Sequence, residues 1–154
     1  MSPATNETFR SDDNIAAIAA AYCLDCLDVA KANFNTSLDG SEASIALVEQ
    51  MLGQLHDQLP VAKPTEEQIG AFAKMFGSYV GEVFRLQRGA EWGIVRVGDK
   101  EFPGMQSAAD GRRFWPWERA YNRIADGPEN NIWHYYLALL ANPDAGDAGG
   151  PDAT

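Results

Sequence analysis

The sequence predicts an α+β domain of about five helices, with one small antiparallel β-hairpin between the third and fourth. Three observations predict it. Apolar residues recur every three or four positions in long stretches, which places them on one helical face. Capping and breaking residues bound those stretches. One segment, "WGIVRVGDKEF", switches to a period of two around a Gly-Asp pair.

The first helix takes Asp12 or Asp13 as its N-cap and runs to about Phe34, with Ile15, Ile18, Tyr22, Cys26 and Val29 as its expected buried stripe. The second starts at "DGSEAS", where Asp39 or Ser41 caps and Glu42 sits in the first turn. Its stripe is Ile45, Val48, Leu52, Leu55 and Leu59, and Pro60 is expected to stop it. "TEEQ" then reads as a capping box, with Thr65 bonding the amide three residues on and Gln68 reaching back. The third helix follows, with Ile69, Phe72, Phe76, Val80, Val83 and Phe84 on one face and Gly89 as its stop. In the hairpin, Gly98 takes the first turn position, so Arg96 faces Glu101 and Val95 faces Phe102. Residues 105–113 read as loop. Pro116 suits the first turn of a fourth helix that ends at Asp126, and Asn130 or Asn131 caps a fifth, "IWHYYLALLA".

One domain accounts for 154 residues. The ordered part is expected over residues 12–141, after a flexible leader (1–11) and before a disordered acidic Gly/Pro/Ala tail (142–154). No apolar run approaches the roughly 20 residues of a membrane helix, and the first fourteen residues lack the basic and apolar parts of a secretory signal. A cytoplasmic location is therefore expected, with no membrane partner. The formal charge is -10, concentrated in the first seventy residues, which carry three basic and eleven acidic side chains. Such a chain repels phosphate backbones, so nucleic acid is not an expected partner.

No constellation for catalysis stands out. Cys23 and Cys26 form a C-x-x-C pair, yet they lie about ten residues inside a helix, beside Asp25 and Asp28, which raise thiol pKa values; buried core thiols are the expectation. Only His56 and His134 are on hand to complete a metal set with them, and neither a nucleophile elbow nor a glycine-rich phosphate loop occurs. No metal, cofactor or catalytic residue is implied.

Two segments invite a functional reading. In "RRFWPWERAYNR", Arg112, Arg113, Arg119 and Arg123 against Glu118 give a local charge of +3, interleaved with Trp115, Trp117 and Tyr121. Arg and Trp are enriched at interface hot spots, although the same residues also serve cores and internal charge balance. In "GSYVGEVFRLQRGAEWG", Ala73, Gly77 and Gly81 form a row of small residues that admits another backbone, while Glu82 and Arg85 can pair at i, i+3. Either of these two could instead reach Arg119 or Arg123.

This second segment resembles a bacterial domain family of unknown function whose helix reads G-x-Y-[LV]-G-E-[VI]-x-R, followed by G-x-x-W. The matching residues are Gly77, Tyr79, Val80, Gly81, Glu82, Val83 and Arg85, then Gly89 and Trp92. Asp39, Ser41, Ser44 and Ile45 match the family's opening helix start. Pro116, Arg119, Arg123 and Gly127 match its later block, with Arg119 where Lys is expected. The resemblance spans about residues 38–140 and implies a fold and a residue set but no reaction.

Three readings follow. The first is a protein-binding module, in one version immunity- or antitoxin-like, using the fourth helix and the hairpin, with a protein partner. The second is an enzyme or small-ligand or anion binder whose pocket is formed by Glu82, Arg85, Trp92, Arg119 and Arg123. The third gives those five a purely structural role.

Overall fold

The computed structural model describes residues 7–141 as an α+β fold of six helices and a four-stranded antiparallel sheet. Strand β1 (Glu7–Ser11) leads into α1 (Asp13–Phe34), and a single 3-10 turn (Glu42–Ser44) into α2 (Ile45–Asp57). Helix α3 (Leu59–Ala62) is one turn long and precedes α4 (Glu66–Arg88). Strands β2 (Ala90–Val97), β3 (Lys100–Ser107) and β4 (Arg113–Phe114) follow, then α5 (Pro116–Asp126), a second 3-10 turn (Pro128–Asn130) and α6 (Ile132–Ala141). None of the described helices is long and apolar enough to cross a membrane.

The helix ends form where side chains can satisfy the free amides. Asp12 accepts from the Ile15 amide at 3.0 Å, Thr65 and Gln68 complete the capping box of α4, and the Asn131 carboxamide accepts from the His134 amide at 2.9 Å. Gly89 closes α4 with a φ of 88°, in a region that L side chains resist. The hairpin register pairs Arg96 with Glu101 and Val95 with Phe102, as the alternation predicts.

Several expectations are corrected. Residues 7–11, assigned from their polarity to a leader, form β1 and pair with β2 from Glu7↔Val97 to Ser11↔Gly93. Pro60 does not end the helical path: it sits in the first turn of α3, where its missing amide costs nothing. The stretch 105–113 is only partly loop, because Met105 to Ser107 extend β3 and Arg113 and Phe114 pair back on Gln106 and Met105. The buried face of α1 is Ala19, Cys26 and Ala30, and Ile18 is 42% exposed. Small residues let α1 lie close on α4, which turns the Ile18 side of the helix outward. The tail 142–154 lies outside the described residues.

Helix α4 is central and packs against both α1 and α5. At Gly77 a β-carbon would stand 2.6 Å from the Pro116 carbonyl oxygen and 2.8 Å from Trp117 Cα, so the glycine admits the backbone of α5. At Gly81 it would enter the Trp92 ring. The row of small residues is therefore where α5 and β2 seat.

The sheet is strongly curled. Its outer strands, β1 and β4, are joined by an Arg113 Nη1 to Glu7 Oε1 bond of 2.7 Å, although Glu7 lies level with Lys100 and Arg113 level with Gln106, which on a flat sheet would set the two about 14 Å apart across the strands and about 20 Å apart along them. The directly paired Gly93 and Gly104 lie where the β1 backbone and the Trp115 ring approach the sheet too closely for a β-carbon. Trp115 is 5% exposed and packs edge-on against Phe102 inside this curve.

Candidate functional site

Each residue of the predicted site has a definite place. Glu82 and Arg85 form a bidentate pair on α4: Arg85 Nε donates to Glu82 Oε2 at 2.8 Å and Nη2 to Oε1 at 3.1 Å. Trp92 Nε1 on β2 donates to the same Oε2 at 2.9 Å. The three sit together because one helical turn separates Glu82 from Arg85, while the glycine at 81 opens the space the indole enters. Both carboxylate oxygens are engaged, and Glu82 in turn holds the Arg85 guanidinium above its ordinary pKa.

These residues border a cleft of about 460 Å³ between the start of α1 and the start of β2, whose walls include Asp12, Asp13, Ala16 and Glu91. Asp12 is occupied as the α1 cap. Cys23, on the neighbouring face of α1, is pushed up to about 11 by burial and then by Glu82; burial pushes the Cys26 thiol higher still. Two such thiols are poor nucleophiles at neutral pH.

Arg119 and Arg123 do not line that cleft. The Arg119 guanidinium lies 4.5 Å over the Tyr135 ring and donates to Asn130 Oδ1 at 3.4 Å. Arg123, only 6% exposed, donates from Nε to Glu49 Oε2 at 2.8 Å, and Glu49 Oε1 accepts the Ile132 amide at 2.9 Å. Its Nη1 is buried without a partner among the described residues. The five-residue pocket is thus divided between two places: Glu82, Arg85 and Trp92 against α1, and Arg119 and Arg123 against α2 and α6.

The Arg/Trp segment divides similarly. Arg112 pairs with Asp110 at 2.7 Å, and Arg113 with Glu7 and with Gln106. Trp115 is core, while Trp117 is half-buried with its indole N–H donated to Ser78 Oγ at 2.7 Å. Trp117 packs on Trp92 with ring centres 5.6 Å apart and edge-on to Tyr22 at 6.5 Å, and Lys74 Nζ lies 5.9 Å from its ring. Around it, Ile15, Ile18, Ala21, Tyr22, Asp25 and Lys74 outline an open groove of about 640 Å³ on α1 and α4.

A further cluster escaped the sequence. Glu42 is gripped by Arg88 Nε at 2.9 Å and Nη2 at 2.8 Å, and by the Tyr136 hydroxyl. Arg88 leads in holding the Glu42 carboxyl below its usual range, and burial leads in pushing the Tyr136 phenol above its own. Nearby, Tyr79 Oη accepts the Gly40 amide at 2.9 Å and lies 2.6 Å from Ser44 Oγ. The available signals were a Glu in a first helical turn and an Arg in a last turn, favourable at such ends without any partner. His56 is also structural: its Nδ1 lies 2.7 Å from the Ile124 carbonyl oxygen.

No protein-family model matches the chain, and no curated protein sequence matches it. A crystal structure from Bacteroides thetaiotaomicron VPI-5482 is similar in fold, with a TM-score of 0.63 and 17% sequence identity over 88% of this chain. The chain spans about half of that structure's length, 47%. At this identity the likeness concerns the fold alone.

Proposed function

We propose that the protein is a non-enzymatic protein-binding module whose recognition surface is the groove around Trp117. The observation that supports this reading is an apolar groove left open to solvent: Ile18 is 42% exposed beside a half-buried tryptophan whose indole is fixed by Ser78. A rigid aromatic anchor with exposed aliphatic neighbours is the kind of surface that an amphipathic helix of a partner covers. The groove itself carries one acid and one base, Asp25 and Lys74, while the formal charge of -10 of the whole chain favours a basic partner, as a basic toxin would be for an immunity-like protein. In this reading the arginines of the "RRFWPWERAYNR" segment serve the fold, since Arg112, Arg113, Arg119 and Arg123 each have partners within the chain. The family resemblance around residues 77–92 fits the same division, with Glu82, Arg85 and Trp92 locking β2 onto α4.

The test is affinity capture from the organism that encodes the protein, comparing wild type with Ile18→Glu and Ala21→Arg. Both positions are exposed, so circular dichroism and melting temperature should be unchanged. The reading expects one basic protein to be retained by the wild type and lost by both variants. Retention of the same protein by both variants, or no specific protein on the wild type, refutes it.

A further inference from the structure

A second concavity lies at the other end of the helices. Phe34 at the end of α1, Leu55 on α2, Leu59 on α3, and Ile69 and Phe72 in the first turns of α4 converge above Ile124 of α5, which is 2% exposed. They enclose about 310 Å³, at the low end of the roughly 300–1,000 Å³ of small-molecule sites. At about 30 Å³ per water-sized atom, that is room for roughly ten non-hydrogen atoms.

The chemistry of the lining defines the occupant. None of the eleven residues around this pocket is ionisable, although 22% of the chain is charged. Its polar members are three exposed carboxamides at the mouth, Asn33, Gln54 and Gln58, whose side chains bond no other described residue. Amides offer both a donor and an acceptor to a neutral head group but no counter-charge to an ion. A carboxylate or ammonium placed here would shed water without compensation. The outward wall is α3, a single turn held between Gln58 and Lys63, with Val61 88% exposed.

We infer that this pocket is a binding site for a small uncharged amphiphile, with an apolar body seated on Ile124 and a hydroxyl, ester or amide end bonded by Asn33, Gln54 or Gln58. The site is separate from the groove around Trp117 and independent of its role.

The experiment titrates full-length, methyl-labelled protein with 1-decanol, decanoate and decylamine, each kept monomeric, while following the Leu55, Leu59, Ile69 and Ile124 methyl signals. 1-Decanol should shift those signals saturably. Decanoate and decylamine should bind roughly ten-fold or more weakly, because each would bring an uncompensated charge to the pocket. Ala62→Trp, at an exposed position on the rim, should block the site; Val61→Glu, which does not line it, should leave binding unchanged. Absent or non-saturating shifts overturn the inference. So do shifts that persist in Ala62→Trp, equal binding of the charged probes, or shifts that follow protein concentration instead of probe.

Discussion

Removing the Glu49 carboxylate should be among the most damaging single changes in the molecule, and a second mutation should partly repair it. Glu49 serves two donors, Arg123 Nε at 2.8 Å and the Ile132 amide that begins α6 at 2.9 Å. In Glu49→Ala, Arg123 becomes an unpaired cation at 6% exposure, with Nη1 already lacking a partner. Breaking a buried pair from one side costs about 3–5 kcal/mol, and the lost cap on α6 adds about 1 kcal/mol. With a urea m-value of about 2 kcal/mol per M, the midpoint should fall by roughly 2–3 M. In Glu49→Ala/Arg123→Met the orphaned charge is gone and an apolar chain fills most of its space. The double variant should then recover about 1 M of midpoint over the single one. Urea unfolding followed by tryptophan fluorescence measures both. A single-variant shift under about 0.5 M, or a double variant no better than the single, refutes the view that desolvation of Arg123 dominates here.

Two glycines of α4 should respond to alanine with opposite signs. Gly70→Ala meets nothing within 4 Å and should stabilise by about 0.5–1 kcal/mol, whereas Gly77→Ala drives a methyl into the α5 backbone and should destabilise by about 1–3 kcal/mol, both read by thermal unfolding. Glu42 should make stability acid-sensitive. Arg88 holds its folded-state pKa below the ordinary value of 4.5, so its contribution is complete above that pH and is lost as pH falls through the folded value. The melting-temperature gap between wild type and Glu42→Gln should therefore narrow on acidification below 4.5; a constant gap refutes the assignment. At pH 8 neither cysteine should react with Ellman's reagent in the folded protein, since Cys23 is pushed up to about 11 and Cys26 is fully buried, while both should react in urea.

What the sequence revealed depended on how far apart the interacting residues are in the chain. The Thr65–Gln68 box and the Arg96↔Glu101 register are settled within a few residues and are as read, and the two caps read as alternatives resolve to Asp12 and Asn131. The partner of Arg123 lies 74 residues away on another helix, and nothing local separates Glu49 from the other acids. A separation of 46 residues hid the Arg88–Glu42 grip, and the five residues grouped as one pocket share a helix spacing or a motif but not a neighbourhood. Strand β1 was hidden differently: "ETFRS" is too short and polar to show a period, and its strand character comes from the edge of β2. On α1 the larger apolar residues misled, because the tight contact with α4 selects alanines.

The pairing of β1 with β2 also fixes an order of events in the folding chain. The β2–β3 hairpin closes across a two-residue turn, a local step, whereas β1 must meet residues that follow it by about eighty or more positions, at a loop-closure cost on the order of 4 kcal/mol. Five residue pairs, the Arg113–Glu7 and Arg10–Glu101 bonds and the Asp12 amide on the Trp92 carbonyl repay that cost. The first strand in the sequence should therefore join the sheet after the hairpin has formed and leave it before the hairpin opens. In native-state hydrogen exchange its amides should open well before those that the hairpin holds.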